Sequence, residues 1–597
     1  MTNQELSKIL YEMSLLLEMD EVQFKPRAYE KASLSIGALE EDVREIYKKG
    51  GAKALMDIPD VGQGIAERIE EYLKTRHVKD YERLKKKVPV DLEGLKKIEG
   101  LGPKKIKLLW QKLKIRTVAD LEKAARAGKL RGIPTLGKKT EENILKGIEF
   151  VKKSGGRFLL GEIYGLVKEI EAQLQKLPGV GKAIAGGSIR RMKETIGDAD
   201  FLVVSAKPKP VMEFFVNMPE VVHVYAHGET KSMVRLANGL DCDLRVVAKE
   251  SFGAALNYFT GSKDHNVALR KIAITKGLKL NEYGLFKIVE RRGAQRGSAR
   301  KEVMMAGKSE EELYRALGLH YIEPEMRENT GEIEASRLGK LPRDLVGYND
   351  LKGDLQTQTN WTDGANSIEE MAAAAKRQGL EYICITDHTR SLAMTGGADE
   401  KKLEKQMAYI DKLNKEKFST GSNNTLRAKS RSFRILKGAE VNIMADGKLD
   451  IRDETLAKLD CVGAAVHSNF KMSKAEMTRR IIRAMGNPHV DILFHPTGRI
   501  INKRPPYEVD IDEIIKAAKR TGTILEIDAS PERLDLKDEY VRKCVQAGVK
   551  MVIDSDAHSI HGFQFLKFGV AQARRGWAEK EDIINAWPLP RMLDFLK

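Results

Sequence analysis

The chain of 597 residues has few of the features that mark membrane-bound or disulfide-stabilised proteins. No apolar run reaches the ~20 residues that a helix needs to cross a bilayer. The first residues also lack the basic and apolar stretches of a secretory signal. Its four cysteines are scattered, and none forms a C-x-x-C pair. These absences argue against a disulfide framework and a zinc finger, and they favour a reducing, cytoplasmic location without membrane contact.

The length predicts several domains, because one hydrophobic core does not grow to this size. The formal charge is +17, and two windows supply 15 of it. Residues 101–150 contain 13 Lys and Arg against 5 Asp and Glu, and residues 251–300 contain 10 against 3. Such clusters favour a polyanion as the partner, although a solvated basic surface would have the same composition.

One stretch, residues 186–200, concentrates groups that suit phosphate and a divalent cation. Gly187 and Ser188 offer backbone N–H groups and a hydroxyl to phosphate oxygens. Asp198 and Asp200 stand at the start of an apolar, strand-like run, where side chains two residues apart point the same way. A hard cation bound by both carboxylates beside a phosphate is the layout of phosphoryl or nucleotidyl transfer. The alternative is a turn with two solvated aspartates.

Two-metal chemistry needs a third carboxylate on a neighbouring strand, because ions about 3.5–4 Å apart must share ligands. The run from Asp241 to Val247 supplies it. Asp241, Asp243 and Arg245 would share one face of this strand. Either aspartate can be the third ligand on this pattern alone.

The combination G-G-S-x-R-R…G-D-x-D resembles the nucleotidyltransferase signature of family X DNA polymerases. The resemblance implies that Asp198, Asp200 and Asp243 hold two Mg²⁺ ions, with Asp241 as the alternative third ligand. It also implies that Asp243 accepts the proton of the primer 3′-OH. The nucleotide contacts that it implies are Arg157, Gly187, Ser188, Arg191, Gly197, Tyr258, Phe259, Gly261 and Asn266. For the two aromatic residues of this set, packing in a core is the alternative.

The N-terminal part repeats a glycine turn that leads into a helix, at residues 58–69, 98–106 and, more weakly, 133–140. These repeats resemble helix–hairpin–helix motifs, whose turn amides bind the DNA backbone, sometimes through a monovalent cation. An ordinary corner between two helices is the alternative for one repeat alone. The contacts with gapped or primer–template DNA that the resemblance implies are Gly62, Gly64, Gly100, Gly102, Lys104, Lys105, Gly137, Lys138, Arg245 and Arg270.

Apolar residues also recur at helical spacing over residues 6–17 and 38–47, which predicts a helix in each. In relatives with 5′-deoxyribose-phosphate lyase activity, a Schiff-base lysine follows the first hairpin. Arg68 stands at that position, and a guanidinium cannot act as the amine nucleophile. We therefore expect DNA binding without lyase chemistry through this residue, with Lys25 and Lys31 as nearby lysines.

From residue 346 onward, short apolar runs alternate with amphipathic helices, which predicts a parallel β/α barrel or sheet. The runs are residues 382–385, 461–466, 492–494, 524–527 and 551–553. A residue of a metal-binding type follows nearly every run, where the active sites of β/α barrels gather. The residues at these strand ends are Asp387, His388, His467, His495, Asp556 and His558, and Glu440 closes another short strand-like run.

Their order resembles the PHP phosphoesterase domain, a distorted (βα)₇ barrel that holds up to three metals. The resemblance implies a 3′–5′ exonuclease with Mn²⁺ or Zn²⁺ on Asp363, His388, Glu440, His467, His495, Asp556 and His558. The chain departs from the family at its opening H-x-H motif, where Gln356 and Gln358 replace both histidines. Because an amide oxygen is a poor ligand for such metals, we expect a retained fold with weakened or absent exonuclease activity.

The predicted fold is multidomain. It consists of all-α helix–hairpin–helix modules (1–90 and 91–153), an α+β nucleotidyltransferase palm (154–247), a nucleotide-selecting subdomain (248–320), an exposed linker (321–345) and a C-terminal α/β distorted (βα)₇ barrel (346–597). The leading hypothesis is a monomeric, template-directed polymerase that fills short DNA gaps with dNTPs. The alternatives are a phosphoesterase with an N-terminal DNA clamp and a non-catalytic scaffold that binds DNA ends.

Overall fold

This computed structural model describes all residues except 1, 21, 23–24, 40, 59, 97, 99–100, 134–135, 155, 290–300, 419–432 and 597. The chain divides into two compact units. Unit 1 is Met1–Phe158, Ile163–Arg190 and Thr195–Tyr321, and unit 2 is Leu159–Glu162, Arg191–Glu194 and Ile322–Lys597. Within these described residues, no helix has both the length and the apolar character needed to cross a membrane.

The first part of unit 1 is helical, as predicted. Its helices are α1 (Thr2–Met19), α2 (Lys25–Ala38), α3 (Val43–Met56), α4 (Gln63–Thr75), α5 (Lys79–Lys87), α6 (Leu92–Lys96), α7 (Pro103–Leu113), α8 (Val118–Arg126) and α9 (Lys138–Ser154). Their apolar faces pack into one core that includes Leu16, Ile69 and Leu121. This core places the glycine turns before α4, α7 and α9 at the surface.

The helix predicted over residues 38–47 is present from Val43 onward but is wrong in its start, because α2 ends at Ala38 and α3 begins at Val43. The side chain of Asp42 accepts a hydrogen bond from the backbone N–H of Arg44 at 2.9 Å. This N-cap starts a new helix and interrupts the apolar periodicity.

A mixed sheet with flanking helices follows. Its elements are β1 (Phe158–Leu159), α10 (Leu160–Gln175), β2 (Val180–Ala185), α11 (Gly187–Arg190), β3 (Thr195–Ile196), β4 (Asp198–Ser205), α12 (Pro208–Val216), β5 (Val221–His227), β6 (Lys231–Leu236) and β7 (Asp241–Val247). The five-stranded sheet has the order β2-β4-β7-β6-β5. β4 and β7 are parallel neighbours, and the other neighbouring pairs are antiparallel.

The last part of unit 1 combines three helices with a three-stranded antiparallel sheet, β10-β9-β8. These elements are α13 (Phe252–Thr260), α14 (Lys263–Thr275), β8 (Leu278–Asn281), β9 (Gly284–Val289), β10 (Lys301–Ala306) and α15 (Glu310–Ala316). A buried ion pair ties this part to the sheet. Arg190 donates to both carboxylate oxygens of Glu310, at 2.9 and 2.7 Å, and to the hydroxyl of Thr260 at 2.6 Å.

Unit 2 contains seven parallel strands in sequential order, β11 to β17. The strands are β11 (Gly353–Thr357), β12 (Tyr382–Ile385), β13 (Arg434–Asn442), β14 (Cys461–Ala465), β15 (Ile492–Leu493), β16 (Ile524–Asp528) and β17 (Met551–Asp554). An isolated parallel bridge joins Thr357 to Ala557, so the sheet curls into a nearly closed barrel. The predicted multidomain fold and its C-terminal β/α barrel are therefore confirmed.

The helices of unit 2 are α16 (Glu332–Arg337), α17 (Ile368–Arg377), α18 (Glu400–Leu413), α19 (Asp453–Leu456), α20 (Lys474–Met485), α21 (Ile511–Thr521), α22 (Asp538–Ala547), α23 (Leu566–Arg575) and α24 (Leu589–Phe595). Two cores hold the barrel together. Residues such as Ile383 and Val441 pack between strands and helices. Leu355, Phe494 and Trp587 belong to the second core, inside the barrel.

The prediction that residues 321–345 form an exposed linker is wrong in its exposure. Glu325, Arg327 and Glu332 are buried in unit 2. Glu325 accepts a hydrogen bond from Nε of Arg574 at 2.9 Å, and the carboxylate of Glu332 accepts two from nearby backbone N–H groups. The acidic composition suggested exposure, but charged residues can be buried when each finds a partner.

The ion pair between Arg190 and Glu310 gives a stability prediction. Substituting Glu310→Gln leaves the guanidinium buried without a counter-charge, which costs about 3–5 kcal/mol. We expect a clear drop in the midpoint of thermal unfolding. The control is Glu45→Gln, which removes the exposed pair with Lys48 and changes stability by at most about 0.5 kcal/mol. Equal midpoints for the two variants would contradict a structural role for the buried pair.

Candidate functional site

Four aspartates meet on one face of the mixed sheet, where β4 and β7 run side by side. The parallel register places Asp198 opposite Asp241 and Asp200 opposite Asp243. The intervening residue Ala199 is fully buried on the other face, as strand alternation requires. The carboxylate that sequence reasoning sought on a neighbouring strand therefore lies next to the first two.

The two candidates for the third carboxylate differ in their partners. Nε and Nη2 of Arg235 donate to the two oxygens of Asp241, both at 2.7 Å. Burial raises the pKa of Asp243 to about 6; the positive charge of Lys231 opposes this rise, and the negative charge of Asp198 adds to it. Asp241 is thus neutralised by an arginine, whereas Asp243 shares the negative charge of the pair on β4.

The glycine–serine turn lies against this carboxylate cluster. Gly187 has φ +60°, and a Cβ there would lie 2.4 Å from Oδ2 of Asp200. Only glycine fits this close approach. The hydroxyl of Ser188 is buried and finds no hydrogen-bond partner among the described residues. An unpaired buried hydroxyl beside carboxylates fits a ligand oxygen that completes its hydrogen bonding.

Arg157 and Gly197, two further predicted nucleotide contacts, lie against each other. Arg157 donates to the hydroxyl of Thr195 at 3.0 Å and to its carbonyl oxygen at 2.6 Å. Its guanidinium also lies against Gly197, where a Cβ would come within 2.9 Å of Nη1. Arg191 belongs to unit 2, and its Nε donates to Glu328 at 2.9 Å.

The end of α13 brings the predicted sugar-facing residues next to the glycine turn. A Cβ on Gly186 would lie 3.5 Å from Phe259. Tyr258 is 37% exposed, so it is not a core residue. Asn266 donates to the carbonyl oxygen of Tyr258 at 2.7 Å, and Arg270 donates to that of Asn266 at 3.4 Å. Gly261 has φ +69° and ends the helix.

A cavity of about 680 Å³ opens beside the carboxylates, and some of the residues that line it were not predicted from the sequence. Tyr11 and Lys96 line it together with Asp198 and Asp243. Nζ of Lys96 donates to the hydroxyl of Tyr11 at 2.6 Å. Burial lowers the pKa of Lys96 to about 8, with nearby Arg235 acting in the same direction. No sequence pattern distinguishes Lys96 from the other lysines of this basic segment, so its place in the cavity wall could not be predicted.

The three glycine turns share one geometry. The carbonyl oxygens of Gly62, Gly102 and Gly137 each accept a bond from the backbone N–H four residues on, at 3.0, 3.0 and 3.1 Å. A Cβ at any of these glycines would meet no described atom within 4 Å. The fold therefore leaves each helix start open to a close ligand. Lys104 and Lys138 are exposed at two of these starts.

Other predicted DNA contacts are placed as follows. Gly64 lies within α4, Lys105 within α7, and the guanidinium of Arg245 lies 5.1 Å from the ring centre of Phe259. Gly100 is outside the described residues.

Arg68 is held by an ion pair within the helical part of unit 1. Its Nη2 donates to Oδ2 of Asp80 at 2.6 Å, and its Nη1 donates to the carbonyl oxygen of Gly64 at 2.6 Å. These bonds fix the guanidinium and agree with a positioning role for this side chain.

In unit 2, metal-type side chains converge at the carboxyl ends of the barrel strands. Oε1 of Glu440 lies 3.0 Å from Nε2 of His467 and 2.9 Å from Nε2 of His495. Its Oε2 lies 3.2 Å from Nδ1 of His388. Burial alone would raise the pKa of Glu440, but His388 and His467 hold it well below its usual range. The ionised carboxylate and the imidazoles suit a divalent metal.

A second group lies beside the first. Oδ2 of Asp363 is 3.6 Å from Nε2 of His388 and 3.7 Å from Nε2 of His558. Oδ1 of Asp556 is 3.8 Å from Nδ1 of His558. Two sets of ligand atoms lie close enough to hold an ion: Asp363, His388 and His558, and His388, Glu440 and His467. The structure thus brings together all seven predicted ligands of the barrel.

One of the two glutamines that replace the H-x-H histidines, Gln358, contacts this centre. Gln356 and Gln358 are fully buried. Nε2 of Gln358 donates to Oε2 of Glu440 at 3.0 Å. The other amide atom of Gln358 and both amide atoms of Gln356 have no hydrogen-bond partner among the described residues. Glutamine amides therefore stand at the sequence positions of the two histidines, and they lack the imidazole nitrogens that would bind a metal.

Asp387 differs from the other strand-end residues. Its carboxylate accepts hydrogen bonds from Thr359, Thr362 and Gln406 at 2.5–2.8 Å. These neighbours satisfy the carboxylate, so it positions the loop that precedes Asp363.

Sequence reasoning missed Asp528 and Arg533 at the barrel mouth. Nε of Arg533 lies 3.3 Å from Oδ2 of Asp528 and 3.6 Å from Oδ2 of Asp556. Asp528 ends β16, so the strand-end pattern could have found it. Arg533 lies in the following loop, where no motif marks it.

Comparisons with known families match the parts of the chain separately. Residues 1–78 match the helix-hairpin-helix domain, and residues 92–149 match the SAM-like helix-hairpin-helix tandem. Residues 255–328 match the DNA polymerase beta thumb, and residues 354–530 match the PHP domain.

Among curated proteins, the DNA polymerase/3′-5′ exonuclease PolX of Bacillus subtilis (strain 168) is 36% identical over 605 aligned residues, covering all of both chains. A probable phosphatase of Thermoanaerobacter sp. (strain X514) is 34% identical over 203 residues, which are 32% of this chain and 73% of that protein. A probable phosphatase of Syntrophotalea carbinolica is 28% identical over 240 residues, 39% of this chain and 89% of that protein. The match over the full length joins the polymerase and PHP parts in one architecture, and the chain belongs to the family X DNA polymerases that carry a C-terminal PHP domain.

Proposed function

We propose that this DNA polymerase fills short gaps in DNA repair, acts as a monomer and uses a two-metal mechanism at Asp198, Asp200 and Asp243. The observation that carries the proposal is the in-register pairing of β4 and β7, which places the three carboxylates on one face. Two Mg²⁺ ions bound there would supply electrostatic stabilisation of the phosphate oxygens. Carboxylate oxygens are the ligands that Mg²⁺ prefers, so the donor set fits.

In this proposal Asp243 also accepts the proton of the primer 3′-OH. Its pKa of about 6 supports the role, because a general base works best when its pKa lies near the operating pH. Asp241 keeps its ion pair with Arg235 and orients the neighbouring strand.

The incoming dNTP would place its phosphates against Gly187 and Ser188, with Arg157 and the backbone of Gly197 beside them. The unpaired Ser188 hydroxyl supports this placement. Arg191 is the further arginine that the family resemblance assigns to the triphosphate.

The sugar and base would face the end of α13. Tyr258, Phe259 and Gly261 would crowd the sugar, and Asn266 would reach the base edge. The exposure of Tyr258 and the close approach of Phe259 to Gly186 support this arrangement. Arg270 and Arg245 would contact DNA.

The glycine turns before α4, α7 and α9 would bind the DNA backbone, directly or through a monovalent cation. Their open backbone and the nearby exposed lysines support binding without sequence readout. Because Arg68 is locked by Asp80, lyase chemistry does not proceed through it.

The assignment of the third carboxylate is tested by two isosteric variants. Asp243→Asn removes a metal ligand and the proton acceptor, so we expect nucleotide insertion to fall by about 100-fold or more. Asp241→Asn weakens only the ion pair with Arg235, so we expect a loss of less than about 10-fold. The measurement is single-nucleotide insertion on a gapped duplex with a 5′-labelled primer and Mg²⁺. A larger loss in Asp241→Asn than in Asp243→Asn would reverse the assignment.

The hairpin contacts predict a salt-dependent effect. Lys104→Ala should weaken binding to gapped DNA equally for different sequences and reduce the salt slope of log Kd by about 1, because one phosphate contact is lost. Fluorescence anisotropy over a salt series measures both. Lys209→Ala removes another exposed lysine, in α12, which none of the three glycine turns precedes, and serves as the control. Similar slopes for both variants would argue against a phosphate contact at Lys104.

For the PHP domain, we propose a 3′–5′ exonuclease activity that Gln356 and Gln358 weaken. A second candidate, exonuclease as the main activity with unit 1 as a DNA clamp, is favoured by the two remaining ligand groups. Those groups fit Mn²⁺ or Zn²⁺ by their imidazole and carboxylate donors.

A 5′-labelled gapped primer separates these two possibilities. With dNTP and Mg²⁺ we expect lengthening, and with Mn²⁺ alone we expect slow shortening that His467→Ala abolishes, because this residue contacts Glu440. His467→Ala should leave lengthening unchanged. Shortening that is faster than lengthening would favour the second candidate.

A further inference from the structure

The barrel mouth contains a cation of its own. Arg533 extends its guanidinium from the loop after β16 towards Asp528 and Asp556, at 3.3 and 3.6 Å. Its side chain is 20% exposed, and those of the two carboxylates are 0% and 10% exposed. Nη1 of Arg533 is buried without a hydrogen-bond partner among the described residues. The guanidinium therefore acts mainly as a fixed charge between carboxylates.

This charge lies beside the altered H-x-H positions. The backbone N–H of Gln358 donates to the carbonyl oxygen of Ala557 at 2.9 Å, which places Gln358 next to Asp556. The Gln358 side chain in turn donates to Glu440. Gln358 thus lies next to Asp556 and contacts Glu440, and Arg533 lies beside Asp556. The family resemblance makes Asp556 and Glu440 metal ligands.

The chemistry of this corner disfavours a divalent ion. A cation bound by Asp556 and Glu440 would have amides in place of two imidazoles, and it would lie close to a guanidinium that stays protonated. Like charges a few ångströms apart in a poorly solvated site repel strongly. The two groups of ligand atoms that lie close enough to hold an ion do not include Asp556.

We propose that Arg533 replaces one divalent cation of the barrel, so that unit 2 binds two metal ions and the corner formed by Gln356, Gln358 and Asp556 binds none. The inference rests on the ligand assignments of the proposed function. It predicts that restoring the two histidines alone does not restore a third ion, because the guanidinium still occupies the corner.

The test counts metal in full-length protein. All variants carry Asp198→Ala and Asp200→Ala, so that the carboxylates of unit 1 do not contribute. After equilibration with Mn²⁺ and removal of free ion, elemental analysis should give two ions per chain for this background. Adding Gln356→His and Gln358→His should leave two, and adding Arg533→Gln to those changes should give three.

The matched control is Arg504→Gln in the background with both histidines restored. Arg504 also lies near the barrel mouth, but it donates to the carbonyl oxygen of Gly498 and faces the ring of Phe470, not a carboxylate. It should leave the count at two. Circular dichroism checks that each variant is folded.

Three ions in the background chain, or in the chain with restored histidines and Arg533 intact, would overturn the inference and leave the ligand assignments standing. A count of two in folded protein that combines the restored histidines with Arg533→Gln would also overturn it. No bound metal in the background chain would refute the ligand assignments themselves. If the variant with Arg533→Gln does not fold, the number of Mn²⁺ ions per chain in the variant with restored histidines and intact Arg533 decides the question. Three ions in that variant refute the inference, and two support it.

Discussion

The parallel, in-register pairing of β4 and β7 is the constraint on which the proposed polymerase site depends. It concentrates four aspartates on one face of a sheet, where their charges repel unless cations neutralise them. Arg235 neutralises Asp241 within the chain, and in the proposed mechanism bound ions neutralise Asp243 and the pair on β4. The strand pairing thus gathers the carboxylates on one face, and the ion pair with Arg235 distinguishes Asp241 from Asp243, the third ligand in the proposed mechanism.

The barrel of unit 2 also gathers carboxylates that repel one another, but their charge is balanced in a different way. Its strands direct several carboxylates to one end, and two groups of imidazoles and carboxylates remain suited to metal ions. Around Asp528 and Asp556 the positive charge comes from Arg533. The two units therefore share a principle, in which strand geometry gathers negative charge and the identity of the neutralising cation decides the chemistry.

Secondary structure with a regular apolar pattern could be predicted from the sequence. The partners of individual charged side chains could not. The apolar run at residues 382–385 became β12 with the same bounds, because buried parallel strands leave a continuous apolar signal. The helix predicted over residues 38–47 starts only at Val43, because Asp42 caps it there and apolar periodicity does not show a cap. The prediction of an exposed linker was wrong because Glu325 is buried against Arg574, a partner far along the chain. Arg235 and Arg533 act through spatial neighbours, so no spacing rule marks them.

The most direct measurement for the central claim is the anomalous scattering of Mn²⁺ in crystals of the protein with gapped DNA and a non-hydrolysable dNTP analogue. The account predicts two manganese peaks in unit 1, both within ligand distance of Asp198 and Asp200, with one also bound by Asp243. A manganese ion bound by Asp241 in place of Asp243, or no ion between β4 and β7, would contradict it.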